Sequence, residues 1–61
     1  MKASDLVKCI QTLNRPLTIH KIEASRHGCI IIGSMSYDSS RTRYEFRQPG
    51  VLHSQRELGI P

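Results

Sequence analysis

Polar and apolar residues alternate without a slip between positions 41 and 47: Thr42, Tyr44 and Phe46 fall on one side, Arg41, Arg43, Glu45 and Arg47 on the other. Strand side chains point to opposite faces with period two, so this stretch reads as a half-buried strand. One face takes the only Phe of the chain and one of its two Tyr; the other presents three guanidinium groups and one carboxylate. The opening segment has a different period. Leu6, Cys9, Ile10 and Leu13 recur every three or four residues and draw one apolar stripe along a helix over 4–14. Ser4 is its expected N-cap and Asp5 sits where the helix dipole favours a carboxylate. Asn14-Arg15-Pro16 ends the helix, and Lys8, Gln11 and Thr12 are expected to face outward.

Leu17 to Ser25 admits two readings. As a strand, Leu17 and Ile19 share one face and His20 and Ile22 the other; as a helix, Thr18 caps a turn and a half. The β-branched content favours the strand. Arg26-His27-Gly28 reads as a turn in which Gly28 is free to take a positive φ. Cys29 to Ile32 is the most β-prone run, suited to a central strand covered on both faces or to an edge that would aggregate if left open. That strand continues through Gly33 to Tyr37, and Asp38-Ser39-Ser40 has turn chemistry, so 29–37 and 41–47 pair as a hairpin. Pro49 suits the first position of a closing helix, with Val51, Leu52, Gln55 and Leu58 along one side and Gly59 as its stop. The expectation is one α+β domain over 1–61, in the order α-β-β-β-α. Its three-stranded antiparallel sheet carries two helices on one face.

Length and charge narrow the function. A chain of 61 residues buries only about 60% of the surface it exposes when unfolded, so a protein partner or a second copy is expected to add stability. Nine Lys and Arg against five Asp and Glu leave a formal charge of +4, which draws the chain to phosphate or acidic surfaces. Six of the nine are Arg, whose planar fork suits phosphate and base edges. The nucleic-acid-binding candidates are Arg26, Arg41, Arg43 and Arg47. The longest apolar run, Cys29 to Ile32, cannot span a bilayer, so no membrane partner is expected. Cys9 and Cys29 lack Cys-x-x-Cys spacing and no export signal precedes them, so reduced, buried thiols and a cytoplasmic location are the expectation.

Few positions could carry chemistry. His20, His27 and Cys29 do not match a metal-ligand spacing, so no metal and no cofactor is expected. His27 is the catalytic candidate, because it stands in a turn beside Arg26. Metal-free RNA cleavage needs a base for the 2′-hydroxyl and cations for the developing phosphorane charge.

The opening Met1-Lys2-Ala3-Ser4-Asp5-Leu6 and the close Gln48-Pro49-Gly50-Val51-Leu52 through Glu57-Leu58-Gly59-Ile60 resemble the ends of HicA-type toxins. The resemblance implies a double-stranded-RNA-binding-type fold of the order α-β-β-β-α, cleavage of messenger RNA, and silencing by a HicB-type partner. Members carry Gly-Ser-His or Gly-Gly-His ahead of the second strand. Here Ala24-Ser25-Arg26-His27 departs from that pattern, with Arg26 at the histidine position and His27 one residue late. Asp5 to Ala24, with Arg15-Pro16-Leu17-Thr18-Ile19, also resembles the opening of winged-helix domains, which implies a DNA-binding regulator with Arg41 to Phe46 as wing strand. A protein-binding inhibitor or adaptor, adding a strand at the Cys29–Ile32 edge, is the third class. RNA is preferred to DNA among these partners.

Overall fold

The computed structural model of the chain describes residues 2–35 and 38–59. They form a helix α1 (Ala3–Leu13) and strands β1 (Leu17–Ala24), β2 (Gly28–Met35), β3 (Arg41–Arg47) and β4 (Val51–Gly59). The strands make one antiparallel sheet in the order β1-β2-β3-β4, with α1 packed on one face. The α+β class stands as expected. Two particulars are corrected: the sheet has four strands rather than three, and the closing segment is β4 rather than a second helix.

The helix forms where its stripe predicts, shifted by one residue at each end. Lys2 rather than Ser4 is the N-cap and makes no side-chain bond; Ser4 lies inside the first turn with Asp5. Asn14 closes the helix in the left-handed conformation, φ 46°, which a short polar side chain tolerates. Cys9 and Leu13 drive into the sheet, meeting Cys29, Ile31, Tyr44 and Phe46; Leu6, Ile10 and Leu17 flank them. Cys29, Ile31 and Phe46 are fully buried. Each large apolar side chain so buried is worth about 1.5–3 kcal/mol. Thr12 is exposed yet not idle: its hydroxyl lies 3.0 Å from the Gly50 carbonyl and 2.8 Å from that of Lys8, tying the helix to the turn before β4.

Register explains the faces. Cys29 pairs with Phe46 and Ile31 with Tyr44, so these four share the helix side. Their neighbours Ile30, Ile32, Arg43, Glu45 and Arg47 point the other way, as the alternation in 41–47 predicts. β2 is an inner strand, covered by the helix on one face only. The idea of an apolar edge at Cys29–Ile32 is therefore corrected: the sheet edges are β1 and β4. In β1 the register slips between Ile19 and Lys21, leaving His20 as an extra residue. This bulge puts Ile22, opposite Ile31, on the same side as Leu17 and Ile19, where uninterrupted alternation assigns it to the opposite face.

An α-helix is about 10 Å across and strands lie about 4.8 Å apart, so one helix shields the middle of a four-stranded sheet but not its margins. Ile19, Ile22 and Leu52, which face the helix side from the edge strands, stay 38–41% exposed for that reason. β4 needs no apolar face because it lies at such a margin. Gln48-Pro49-Gly50 is the turn that starts it: Gly50 takes φ +104° and its N–H donates to the Arg47 carbonyl at 2.8 Å. The expected turn at Asp38-Ser39-Ser40 is held by the Asp38 carboxylate, which accepts from the Ser40 N–H at 2.9 Å. Ser36 and Tyr37, expected to extend the preceding strand, lie outside the described residues.

Candidate nucleic-acid interface

The face away from the helix is built from rows that run across the strands. One row reads Lys21, Ile32, Arg43, Arg56 from β1 to β4; the next reads Glu23, Ile30, Glu45, Ser54. Each row thus has one half-buried isoleucine on β2, Ile32 in the first and Ile30 in the second, with charged groups on both sides of it. Like charges directly opposite on neighbouring strands repel. Arg43 and Arg56 are such a pair, and among the described residues Arg56 has no carboxylate partner. The acidic row tempers the basic one. Lys21 Nζ lies 2.6 Å from Glu23 Oε1, and its hydrogen bond, then its charge, holds the Glu23 carboxyl below the usual range.

Glu45 is the hub of the β3 side. Its carboxylate receives His53 Nδ1 at 3.2 Å and the Ser54 hydroxyl at 3.4 Å, with Arg43 and Arg47 each at 3.9 Å. His53 reaches it because β4 also bulges: the register slips between Ser54 and Leu52, making His53 an extra residue, as His20 is in β1. His20 Nε2 and the buried Ser34 hydroxyl share a 2.7 Å hydrogen bond. Both edge strands therefore use a bulge to hold an imidazole.

A second basic feature lies at the end of the sheet, where the β1–β2 turn meets the β3–β4 turn. Gln48 N–H donates to the His27 carbonyl at 2.8 Å, and Ser25 N–H to the Gly28 carbonyl at 3.0 Å. Gly28 makes this closeness feasible: a Cβ there would lie 2.1 Å from the Phe46 carbonyl oxygen. Its need is for close approach, not for the positive φ expected from sequence. Between the turns is a cleft of about 330 Å³ lined by Arg26, His27, Arg47 and Gln48. Among the described residues neither Arg26 nor His27 has a carboxylate partner, and Arg47 has only the 3.9 Å approach to Glu45. The Gln48 side chain also lies 3.5 Å from Asp5 of the helix.

The sequence candidates thus divide between two places. Arg41 and Arg43 stand on the open face, Arg26 and His27 line the end cleft, and Arg47 belongs to both. Lys21, His53 and Arg56 complete the open face and were missed. Arg56 and His53 were hidden by the helix reading of 48–59. The signal for Lys21 was present in the β-branched run around it, but the bulge obscured its side. His20, His27 and Cys29 do not converge: one sits on the open face, one in the end turn and one under the helix. Cys29 is chemically quiet, because burial and then the neighbouring Cys9 thiol push its pKa up to about 12. Among the described residues no group of three metal-ligating side chains is present, and no helix is long and apolar enough to cross a membrane. Comparison of the chain with protein-family models, with curated proteins and with solved structures gives no match.

Proposed function

We propose that the chain is a small basic nucleic-acid-binding protein that grips the phosphate backbone, RNA before DNA, on the open face of its sheet. The observation that carries this reading is the row Lys21–Arg43–Arg56, in which two guanidiniums stand opposite each other across β3 and β4. An anion placed between them relieves their repulsion and takes charge-assisted hydrogen bonds from both. Arg41, Arg43 and Arg47 follow one another along β3, so a strand of nucleic acid can track the same line. Tyr44 and Phe46 are spent on the core, and the centre of the face is isoleucine. Contacts to phosphate rather than stacked bases follow from that inventory, hence weak sequence preference. An open sheet face accepts a single strand, whereas insertion into the major groove of duplex DNA uses a helix, and α1 lies on the opposite face.

His27 keeps a place in this reading as a phosphate neighbour rather than a catalyst. RNA cleavage calls for a proton acceptor and a proton donor about one phosphate, and the side chains lining its cleft supply one imidazole between two guanidiniums. The test is fluorescence anisotropy with single-stranded RNA, single-stranded DNA and duplex DNA across a salt series. Arg43→Ala is expected to weaken RNA binding and to reduce the slope of log affinity against log salt by about 0.7, as loss of one single-strand phosphate contact does. An unchanged affinity and slope would show the basic face to be merely solvated. RNA recovered afterwards is expected intact; shortening that His27→Ala abolishes would restore the cleavage reading.

A further inference from the structure

We infer that the end cleft between the β1–β2 and β3–β4 turns binds a phosphomonoester, the terminal phosphate of the strand that lies along the open face. This rests on the proposed backbone grip and adds an end to it. Three observations carry it. Arg26 and Arg47 bring two guanidiniums to one cleft, and among the described residues no carboxylate lies against Arg26. A terminal phosphate carries a charge of about −1.5 to −2 near neutrality, and an internal phosphodiester only −1, so the pair matches the chain end better. The cleft is also pre-formed: the 2.8 Å bond from Gln48 N–H to the His27 carbonyl and the close packing of Gly28 on Phe46 fix the two turns together. Its volume of about 330 Å³ admits a phosphate with the adjoining sugar. Finally, the cleft lies at the end of the basic line. Arg47 is the last residue of β3 and the one basic group common to both places, so a backbone followed along Arg41 and Arg43 arrives there.

In this arrangement Arg26 and Arg47 take the phosphate oxygens by their planar forks, the His27 ring and the Gln48 side-chain amide offer further N–H groups, and Glu45 stays on the open-face side of Arg47. The protein thereby distinguishes phosphorylated from hydroxyl strand ends although it reads no base.

The experiment measures anisotropy of one oligonucleotide sequence bearing a 5′-phosphate, a 3′-phosphate or hydroxyls at both ends, with the wild-type chain and Arg26→Ala. In parallel, backbone amide shifts are followed by NMR during titration with inorganic phosphate. Arg26 is an exposed turn residue, so its substitution leaves the fold in place. One phosphorylated end is expected to bind at least fivefold tighter than the hydroxyl form, and Arg26→Ala to remove that preference by weakening the phosphorylated form severalfold more than the hydroxyl form. Inorganic phosphate is expected to shift the amides of Arg26, His27 and Gln48 saturably. Equal affinity for all three ends, or a uniform weakening of all three by Arg26→Ala, overturns the end site and makes the cleft another stretch of the backbone track. If no oligonucleotide binds, the open-face reading fails by itself. The phosphate titration then decides the cleft: saturable shifts lost in Arg26→Ala keep it as a phosphate site, and their absence overturns it.

Discussion

The two faces of the sheet solve opposite problems with alternate residues of the same strands. Under the helix, Cys29, Ile31, Tyr44 and Phe46 are packed to exclusion of water, and two of the chain's few aromatics are used there. On the open face, the alternate residues of β3 hold charge, with Arg43 opposite Arg56 and two carboxylates, Glu23 and Glu45, among several cations. The first face is about stability and tolerates little. The second accepts a local electrostatic cost, which a bound anion would offset under the proposed reading. Among the described residues there is no third layer, so the core and the proposed binding face stand back to back across the thickness of one sheet.

Equal cuts into the two faces are expected to have very unequal costs. Phe46→Ala is expected to cost about 3–5 kcal/mol, whereas Arg56→Ala is expected to change stability by no more than about 0.5 kcal/mol. Urea denaturation followed by circular dichroism gives both numbers; similar losses would mean that the open face is also structural. A second cut uses pH, with Cys29→Ala as the reference that isolates the helix side. The unfolded Cys29 thiol loses its proton near pH 8.5, but in the folded chain it keeps the proton up to about 12. The unfolded state therefore sheds a proton that the native state retains, and stability falls as pH rises from about 9 towards 12. The urea midpoint should decline over that range with a steeper slope in the wild type than in Cys29→Ala; parallel slopes would refute the assignment. The mildest change sharpens the open face. Glu45→Gln removes the carboxylate shared by Arg43, Arg47 and His53. It should tighten RNA binding by roughly threefold, the equivalent of about 0.7 kcal/mol. Anisotropy showing weaker binding instead would mean that Glu45 holds the arginines in their binding geometry.

Much of the helix-side architecture was legible because period governs it. The 3.6-residue stripe of Leu6, Cys9, Ile10 and Leu13 and the alternation of 41–47 each have one physical solution, and both elements formed where those patterns lie. The β1 reading also held, although the bulge at His20 moved Ile22 to the other side. The last strand was not legible for the same reason twice over. Extra residues at His53 and near Leu58 break the alternation, and what remains, Val51, Leu52, Gln55 and Leu58, imitates a helical stripe. Pro49 deepened the error, since proline opens helices as readily as it occupies turns. Of the candidate site, Arg41, Arg43 and Arg47 were visible from alternation alone. That Arg26 and His27 would meet Arg47 was not, because the meeting depends on register: Gly28 opposite Arg47 aligns the two turns. Arg56 became part of the site only once its segment became a strand.

The order in which the strands lie has a consequence in time as well as in space. Each strand pairs with the one that precedes or follows it in the chain, across connections of three to five residues: 25–27, 36–40 and 48–50. Short loops close in tens of nanoseconds and hairpins form in about 1–10 μs, so the sheet can assemble from neighbours without a long search. The helix is different. It comes first in the chain yet anchors through Thr12 to Gly50, a closure that spans most of the molecule. Non-local closures govern folding rates. Docking of α1 on the finished meander is accordingly expected to be the slow event, because its tie at Gly50 exists only once the last turn has formed.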